Sequence, residues 1–431
     1  MNFFSLNKKA EDVSFKDAVI SGIAPDRGLY FPREIKPLPT SFFKNIEDFS
    51  DHDIAFKAIT QFVSESIPED KLKEILTNVL DFPFPVIELE KNVATLELFH
   101  GPTLAFKDVG ARFMAQCLGY FSKDQHSEVT VLVATSGDTG GAVANGFLGV
   151  KGVKVVILYP SGKVSDIQER QLTTLGQNVS ALEVDGNFDD CQEMVKTAFL
   201  DSDLNSKVAL TSANSINVAR WLPQMFYFLF TYKKLKSKGL PIIFSVPSGN
   251  FGNICAGMVA QKLGMPVAHF IAATNVNDTV PAYMQTREYK PKTSIATISN
   301  AMDVGNPSNF VRIKELYENN FEELKKNLSS YSFNDEETKQ AMISIYNSCN
   351  YIADPHGAVG YLGLKEYQKN VSNAYGVFLE TAHPVKFLDV VEDTLHLDLP
   401  IPSKIAQILD KNKVSTNIRN YKELKSYLLN N

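Results

Sequence analysis

Three segments gather residue types that can do chemistry. Lys107 stands in LFHGPTLAFKDVGARFMAQ, between Phe106 and Asp108 and near the start of helical text. Flanked by Leu104, Ala105 and Phe106, it is open to partial desolvation, which favours the uncharged amine, a nucleophile for carbonyls. A plain surface lysine on a helix fits the same text. ATSGDTGG, Ala134 to Gly141, follows an apolar run and opens a helix. Its short polar side chains and glycines let backbone N–H groups approach a ligand, and a helix N-terminus favours an anion. Ser136, Asp138 and Thr139 are equally ordinary helix caps. VPSGNFGN, Val246 to Asn253, repeats the arrangement: Ser248, Gly249, Asn250, Phe251, Gly252 and Asn253 form a Gly-interrupted turn between apolar text and a helix. Such a turn cradles a phosphate monoester without a basic residue, and it also serves as a tight connection and nothing more.

An amine able to condense with a carbonyl, together with a remote phosphate cradle, is the minimum equipment for pyridoxal phosphate. Other chemistries find less support. Neither GxxxxGK[ST] nor GxGxxG occurs, which disfavours nucleotide loops of those types. No GxSxG elbow is present. His100, His356 and His383 are scattered without HExxH spacing, so no metal is expected. Asp354 and His356, in CNYIADPHGAVGY, fit a site lining or a helix cap equally well.

These loops need strands to carry them. VTVLVA (129–134), KVVILYP (154–160) and VSALEV (179–184) are short apolar runs separated by helix-length text. That rhythm predicts a parallel sheet covered by helices on both faces. After the long helical text NVARWLPQMFYFLFTYKKL, PIIFSVPSG, VAHFIAATN and YGVFLETAHP supply a second set of strands, with helices near 308–319 and 335–349. Residues 1–95 differ: three helically spaced stretches, a Pro-rich connector and DFPFPVIEL, where Pro83 and Pro85 break helix. The expected fold is therefore α/β, two open, mostly parallel-sheet domains around a cleft with a small, mostly helical N-terminal domain. The boundaries fall at 1–95, 96–215 and 216–431. Ligands in open α/β sheets sit beyond the carboxyl ends of strands, which is where the polar loops lie.

The whole chain, 431 residues, is 44% hydrophobic and 21% charged with a net charge of −6. That excludes disorder, and the lack of a basic surplus argues against nucleic acid. No apolar run approaches the roughly 18 residues of a membrane-spanning helix, and the opening MNFFSLNKKAEDVSF resembles neither a signal nor a transit peptide. Cys117, Cys191, Cys255 and Cys349 are far apart in sequence and read as reduced core thiols of a cytoplasmic protein.

Beyond single loops, HGPTLAFKDVGARFMAQ, ATSGDTGGAVA, LYPSGKVSDIQERQLTTLG, TSANSINVARWLPQ, SVPSGNFGN, AATNVNDTVP, TISNAMDVGNPSN and TAHPVKF occur in this order. Together with SFKDAVISGIAPDRGLYFP near the start, they resemble the threonine synthases, from about residue 4 to 400, in the longer microbial and fungal type. The resemblance implies pyridoxal 5'-phosphate held by Lys107, its phosphate on Gly249, Asn250, Phe251, Gly252 and Asn253, and Thr381 at the pyridine nitrogen. It implies substrate contacts at Ser136, Gly137, Asp138 and Thr139 and at Ser212, Asn214 and Asn217, with Arg112 and Lys163 as further phosphate partners. The implied reaction takes O-phospho-L-homoserine and water to L-threonine and phosphate, by a monomer, with a dimer left open. A phospho-lyase or a serine or threonine dehydratase using the same cofactor is the enzymatic alternative. A catalytically silent sensor is the non-enzymatic one, and the intact Lys107 speaks against it.

Overall fold

The computed structural model describes residues 1–122 and 128–430. The strands of its two large sheets are, in chain order, β1 (Val86–Glu90), β2 (Val93–Glu97), β3 (Val129–Ala134), β4 (Val153–Pro160), β5 (Val179–Val184), β6 (Ala209–Ser212), β7 (Ile242–Pro247), β8 (His269–Thr274), β9 (Leu328–Ser332), β10 (Tyr375–Glu380) and β11 (Thr416–Ile418). The helices that carry the polar loops or pack beneath them are α1 (Phe15–Ser21), α2 (Asp51–Val63), α3 (Glu69–Val79), α4 (Lys107–Phe121), α5 (Asp138–Phe147), α6 (Met225–Leu235), α7 (Gly252–Lys262) and α8 (Pro355–Gln368).

The chain forms two compact units, and neither is continuous in sequence. The first holds Met1, residues 31–106 and 221–400; the second holds residues 2–30, 107–220 and 401–431. The segment 1–95, read from sequence as one helical domain, is thus shared between them.

In the first unit the strand order is β9-β8-β7-β10-β2-β1. Only the edge hairpin β1–β2 is antiparallel; the other pairs are parallel. Strands β7, β8 and β10 are buried along their full length, which is why they read as continuous apolar text rather than alternation. Helix α6, rich in Phe, Tyr and Leu, is buried almost all round. In the second unit β11-β5-β4-β3-β6 is parallel throughout. Its strands β3, β4 and β5 were legible as VTVLVA, KVVILYP and VSALEV. The short edge strand β11 comes from the far C-terminus and was not anticipated, nor were β9 and the β1–β2 hairpin.

No helix among the described residues is long and apolar enough to cross a membrane. Cys117, Cys191 and Cys255 are buried, Cys349 partly so, and none is in a disulfide. Burial pushes the Cys191 and Cys255 thiols up to about 12, as small core residues without a reactive role show.

Candidate active site

Lys107 begins α4 and is half-buried. The segment that delivers it is clamped to the end of β10. Leu98 N–H donates to Glu380 O at 2.9 Å, Phe106 N–H to Thr381 O at 2.8 Å and His383 N–H to Leu104 O at 3.0 Å. The buried Lys386 ammonium donates to Thr103 O at 3.0 Å, and the Tyr227 hydroxyl donates to Phe106 O. Lys107 is therefore one peptide link from a residue fixed on Thr381.

Strand β10 lies beside β7, with Phe378 opposite Ser245. Thr381 directly follows β10 and Ser248 directly follows β7, so both lie beyond the carboxyl ends of neighbouring parallel strands. The Ser248–Asn253 turn is built by its own side chains. Ser248 N–H donates to Ala273 O at 2.8 Å and its hydroxyl to Val246 O at 2.8 Å. Asn253 Nδ2 donates to Pro247 O at 2.9 Å. Phe251 takes the left-handed conformation, φ 62°, that ends the turn and starts α7, and its ring packs edge-on against Phe310. No N–H group from Gly249 to Asn253 donates to an acceptor among the described residues. Five such donors at the start of a helix form an anion cradle. Thr381 is 6% exposed, and its hydroxyl meets no partner among the described residues.

Beneath this strand end lies a cluster of titratable groups, of which Glu97, Asp303 and Glu380 were not singled out in the sequence. Glu380, fully buried, stands opposite Glu97 in the β10–β2 pair. Burial first, and then the Asp354 charge, hold the Glu380 carboxyl well above the usual carboxylate range. Glu97 accepts from the Tyr351 hydroxyl at 2.9 Å and meets His100 Nε2 at 2.7 Å. Burial lowers His383 to about 4 and raises Asp303 to about 6. The one available signal was a Glu ending the apolar run YGVFLE. Asp354 serves as the helix cap that the text allowed: its Oδ1 accepts from Gly357 N–H at 2.7 Å.

In the second unit two further loops meet. Strands β3 and β6 are neighbours, with Leu132 opposite Ser212, and Asn214 Nδ2 donates to Ala134 O at 3.1 Å. Thr135 Oγ1 accepts from Gly137 and Gly140 N–H at 2.9 and 2.8 Å. Gly137 has φ 136°, a conformation open to glycine. Ser136 and Thr139 are partly exposed, whereas Asp138 is buried and accepts from Gln168 Nε2 at 3.0 Å. Asn217 is fully buried, and its Nδ2 donates to Val19 O and Ser212 O at 2.9 and 3.2 Å. Its carbonyl oxygen accepts from Ala219 N–H at 3.0 Å, so it works as a clamp on the loop. Arg112 is partly exposed on α4 and Lys163 is exposed.

Comparison with known proteins identifies the family. Residues 77–379 match the family described as pyridoxal-phosphate dependent enzyme, residues 2–79 the threonine synthase N terminus and residues 357–428 the threonine synthase C-terminal family. The chain is 43% identical to the threonine synthase of Escherichia coli K12, over 97% of this chain and 96% of that one. A crystal structure of threonine synthase from Escherichia coli matches with a TM-score of 0.94 at 42% identity, over 100% of both chains. A pyridoxal-phosphate-bound threonine synthase from Brucella melitensis matches with a TM-score of 0.93 at 32% identity, over 100% of this chain and 99% of that one.

Proposed function

The chain belongs to the threonine synthase family of pyridoxal-phosphate-dependent enzymes, and from that premise we propose that it converts O-phospho-L-homoserine and water to L-threonine and phosphate. The observation that carries this reading is the clamp between Phe106 and Thr381, 2.8 Å from N to O, together with the unspent N–H groups of Gly249 to Asn253.

The donor set suits the cofactor. A phosphate needs several convergent donors, and the turn offers five backbone N–H groups with no competing carboxylate in its own sequence. A pyridine nitrogen needs one small partner, which the Thr381 hydroxyl supplies without a full negative charge. An aldehyde needs an amine, and Lys107 stands one residue from the Thr381 contact. When bound, the cofactor withdraws electrons from the amino acid attached to it and so stabilises negative charge at its α-carbon.

The chain's own groups do the rest. Lys107 would hold the cofactor and, once displaced by the substrate amine, would take protons from Cα and Cβ as base and return them to Cγ, which becomes the methyl group, and to Cα as acid. Departure of phosphate from Cγ leaves an anion that needs donors. The Ser136–Thr139 loop at the start of α5 offers them, with Ser212 and Asn214 beside it. Asn217 anchors the Ser212–Asn214 loop through its bond to Ser212 O rather than touching substrate. Addition of water at Cβ then sets the threonine hydroxyl.

Incubation of the purified holoenzyme with O-phospho-L-homoserine tests the proposal: L-threonine and inorganic phosphate should appear in equal amounts. A 2-keto acid as the main product would reject it in favour of a phospho-lyase.

A further inference from the structure

A line of contacts joins the strand end that carries Thr381 to the turn assigned to the phosphate. It begins at Glu380, whose Oε2 accepts Asp354 N–H at 3.2 Å. Asp354 Oδ2 lies 2.7 Å from His356 Nδ1. With Nδ1 donating to that carboxylate, Nε2 is left as an acceptor, and it meets the Ala301 N–H at 3.2 Å. Asp354 is fully buried and His356 is 2% exposed, so water does not compete for these groups. Ala301 in turn lies against the phosphate turn. A methyl group built on Gly249 would stand 2.8 Å from Ala301 O and 2.9 Å from Met302 Cα. The same segment grips the turn again a few residues on: Asn250 O accepts Asn309 N–H at 3.1 Å, and Asn250 Oδ1 accepts from the Ser308 hydroxyl at 3.1 Å.

We propose that His356 is a positioning residue for the cofactor phosphate: by accepting the Ala301 N–H it holds the 300–302 turn against Gly249 and keeps the Gly249–Asn253 donors converged on one anion. The inference rests on the reading that this turn takes the phosphate. An imidazole suits the position because it donates on one edge and accepts on the other. An asparagine side chain reproduces the near edge, toward Asp354. A glutamine reaches the far edge, toward Ala301.

The test compares pyridoxal phosphate with pyridoxal, which has the same aldehyde and ring but no phosphate. Apoprotein is titrated with each, and binding is followed by absorbance and by borohydride trapping on Lys107. In His356→Asn, affinity for pyridoxal phosphate should fall about tenfold while pyridoxal binds as in the wild type. His356→Gln should recover most of that loss. An equal loss for both ligands in His356→Asn, which general loosening of the fold would cause, overturns the proposal, as does no loss at all. Gly249→Ala separates the two levels of the argument, because its methyl group pushes into Ala301 directly. If Gly249→Ala loses the preference for the phosphorylated ligand and His356→Asn keeps it, the role of His356 alone fails. If Gly249→Ala also keeps the preference, the phosphate assignment fails and the inference with it. Should His356→Asn not fold, His356→Gln decides: binding of pyridoxal phosphate within about threefold of wild type supports the proposal, and weaker binding overturns it.

Discussion

Two side chains at the end of β10 and the start of α4 carry the strongest expectations. Lys107→Ala should abolish threonine formation and remove the borohydride-trapped adduct; mass spectrometry of the wild type should find the label on residue 107. Thr381→Val keeps size and burial but removes the hydroxyl. It should bind cofactor yet turn over roughly tenfold more slowly, and Thr381→Ser should restore the rate; steady-state kinetics with the absorbance spectrum checks both. Lys107 drew notice as an amine in apolar text, whereas Thr381 entered only through the resemblance to the threonine synthases. Glu380 drew none, although it touches the same strand end. A lone Glu in sequence reads as a surface charge. Only burial, 0% exposed, and then the Asp354 charge beside it push its carboxyl well above the usual carboxylate range.

At the scale of elements, the close approach of α8 to β10 is set by one glycine. A methyl group at position 357 would lie 1.9 Å from Glu380 Oε1 and 2.2 Å from Glu380 Cδ. Neither atom has free space to retreat into, since Glu380 is wholly buried. Gly357→Ala should therefore destabilise the protein by about 1–3 kcal/mol, read as a lower denaturant midpoint with an unchanged slope. The capping of α8 was legible: Asp354 followed by Pro355 is a helix start. The 14-residue helix appears accordingly, Pro355–Gln368. The broken form of the NVARWLPQMFYFLFTYKKL helix shows the limit. Pro223 sits in a 3-10 turn, Leu222–Gln224, before α6 begins at Met225. The apolar period runs across that break and hides it, because a proline near a helix start is tolerated and one inside is not.

For the whole molecule, stability should fall as the solution is acidified from neutral pH. Burial lowers both His269 and His383 from 6.5 to about 4. Between those values the unfolded chain binds protons that the folded chain refuses, so acid favours unfolding in that window and alkali does not. Asp303 acts in the opposite sense: raised from 3.8 to about 6, it takes a proton in the folded chain first and offsets part of the loss. Urea unfolding at pH 7 and at pH 4.5 measures the net slope. His269→Gln, which cannot be protonated, should flatten it, by at most about 3 kcal/mol across the window. His269 lies at the β8–β9 side of the sheet, with Nε2 2.9 Å from Ser329 Oγ, so the variant reports on the fold and not on the active-site lysine.

Short-range physics was enough for much of this protein. Buried parallel strands must be apolar and β-branched, turns that bind anions need glycine and short polar side chains, and helices need caps. Those demands act within a few residues and so are written in the text, from VTVLVA to SVPSGNFGN. What the tertiary structure alone decided is which distant segments cover which faces. α1 belongs with β6, where Thr211 Oγ1 donates to Val19 O at 3.1 Å, whereas α2 belongs with α6, where Lys233 pairs with Asp51 at 2.9 Å. Both helices show the same kind of apolar stripe, and a stripe records that a face must be buried without recording the partner. For the same reason the link from Glu380 through the Asp354–His356 pair to Ala301 exists only once the chain is folded: Glu380, that pair and Ala301 are well separated in sequence, and the hydrogen bonds that join them have no local signature.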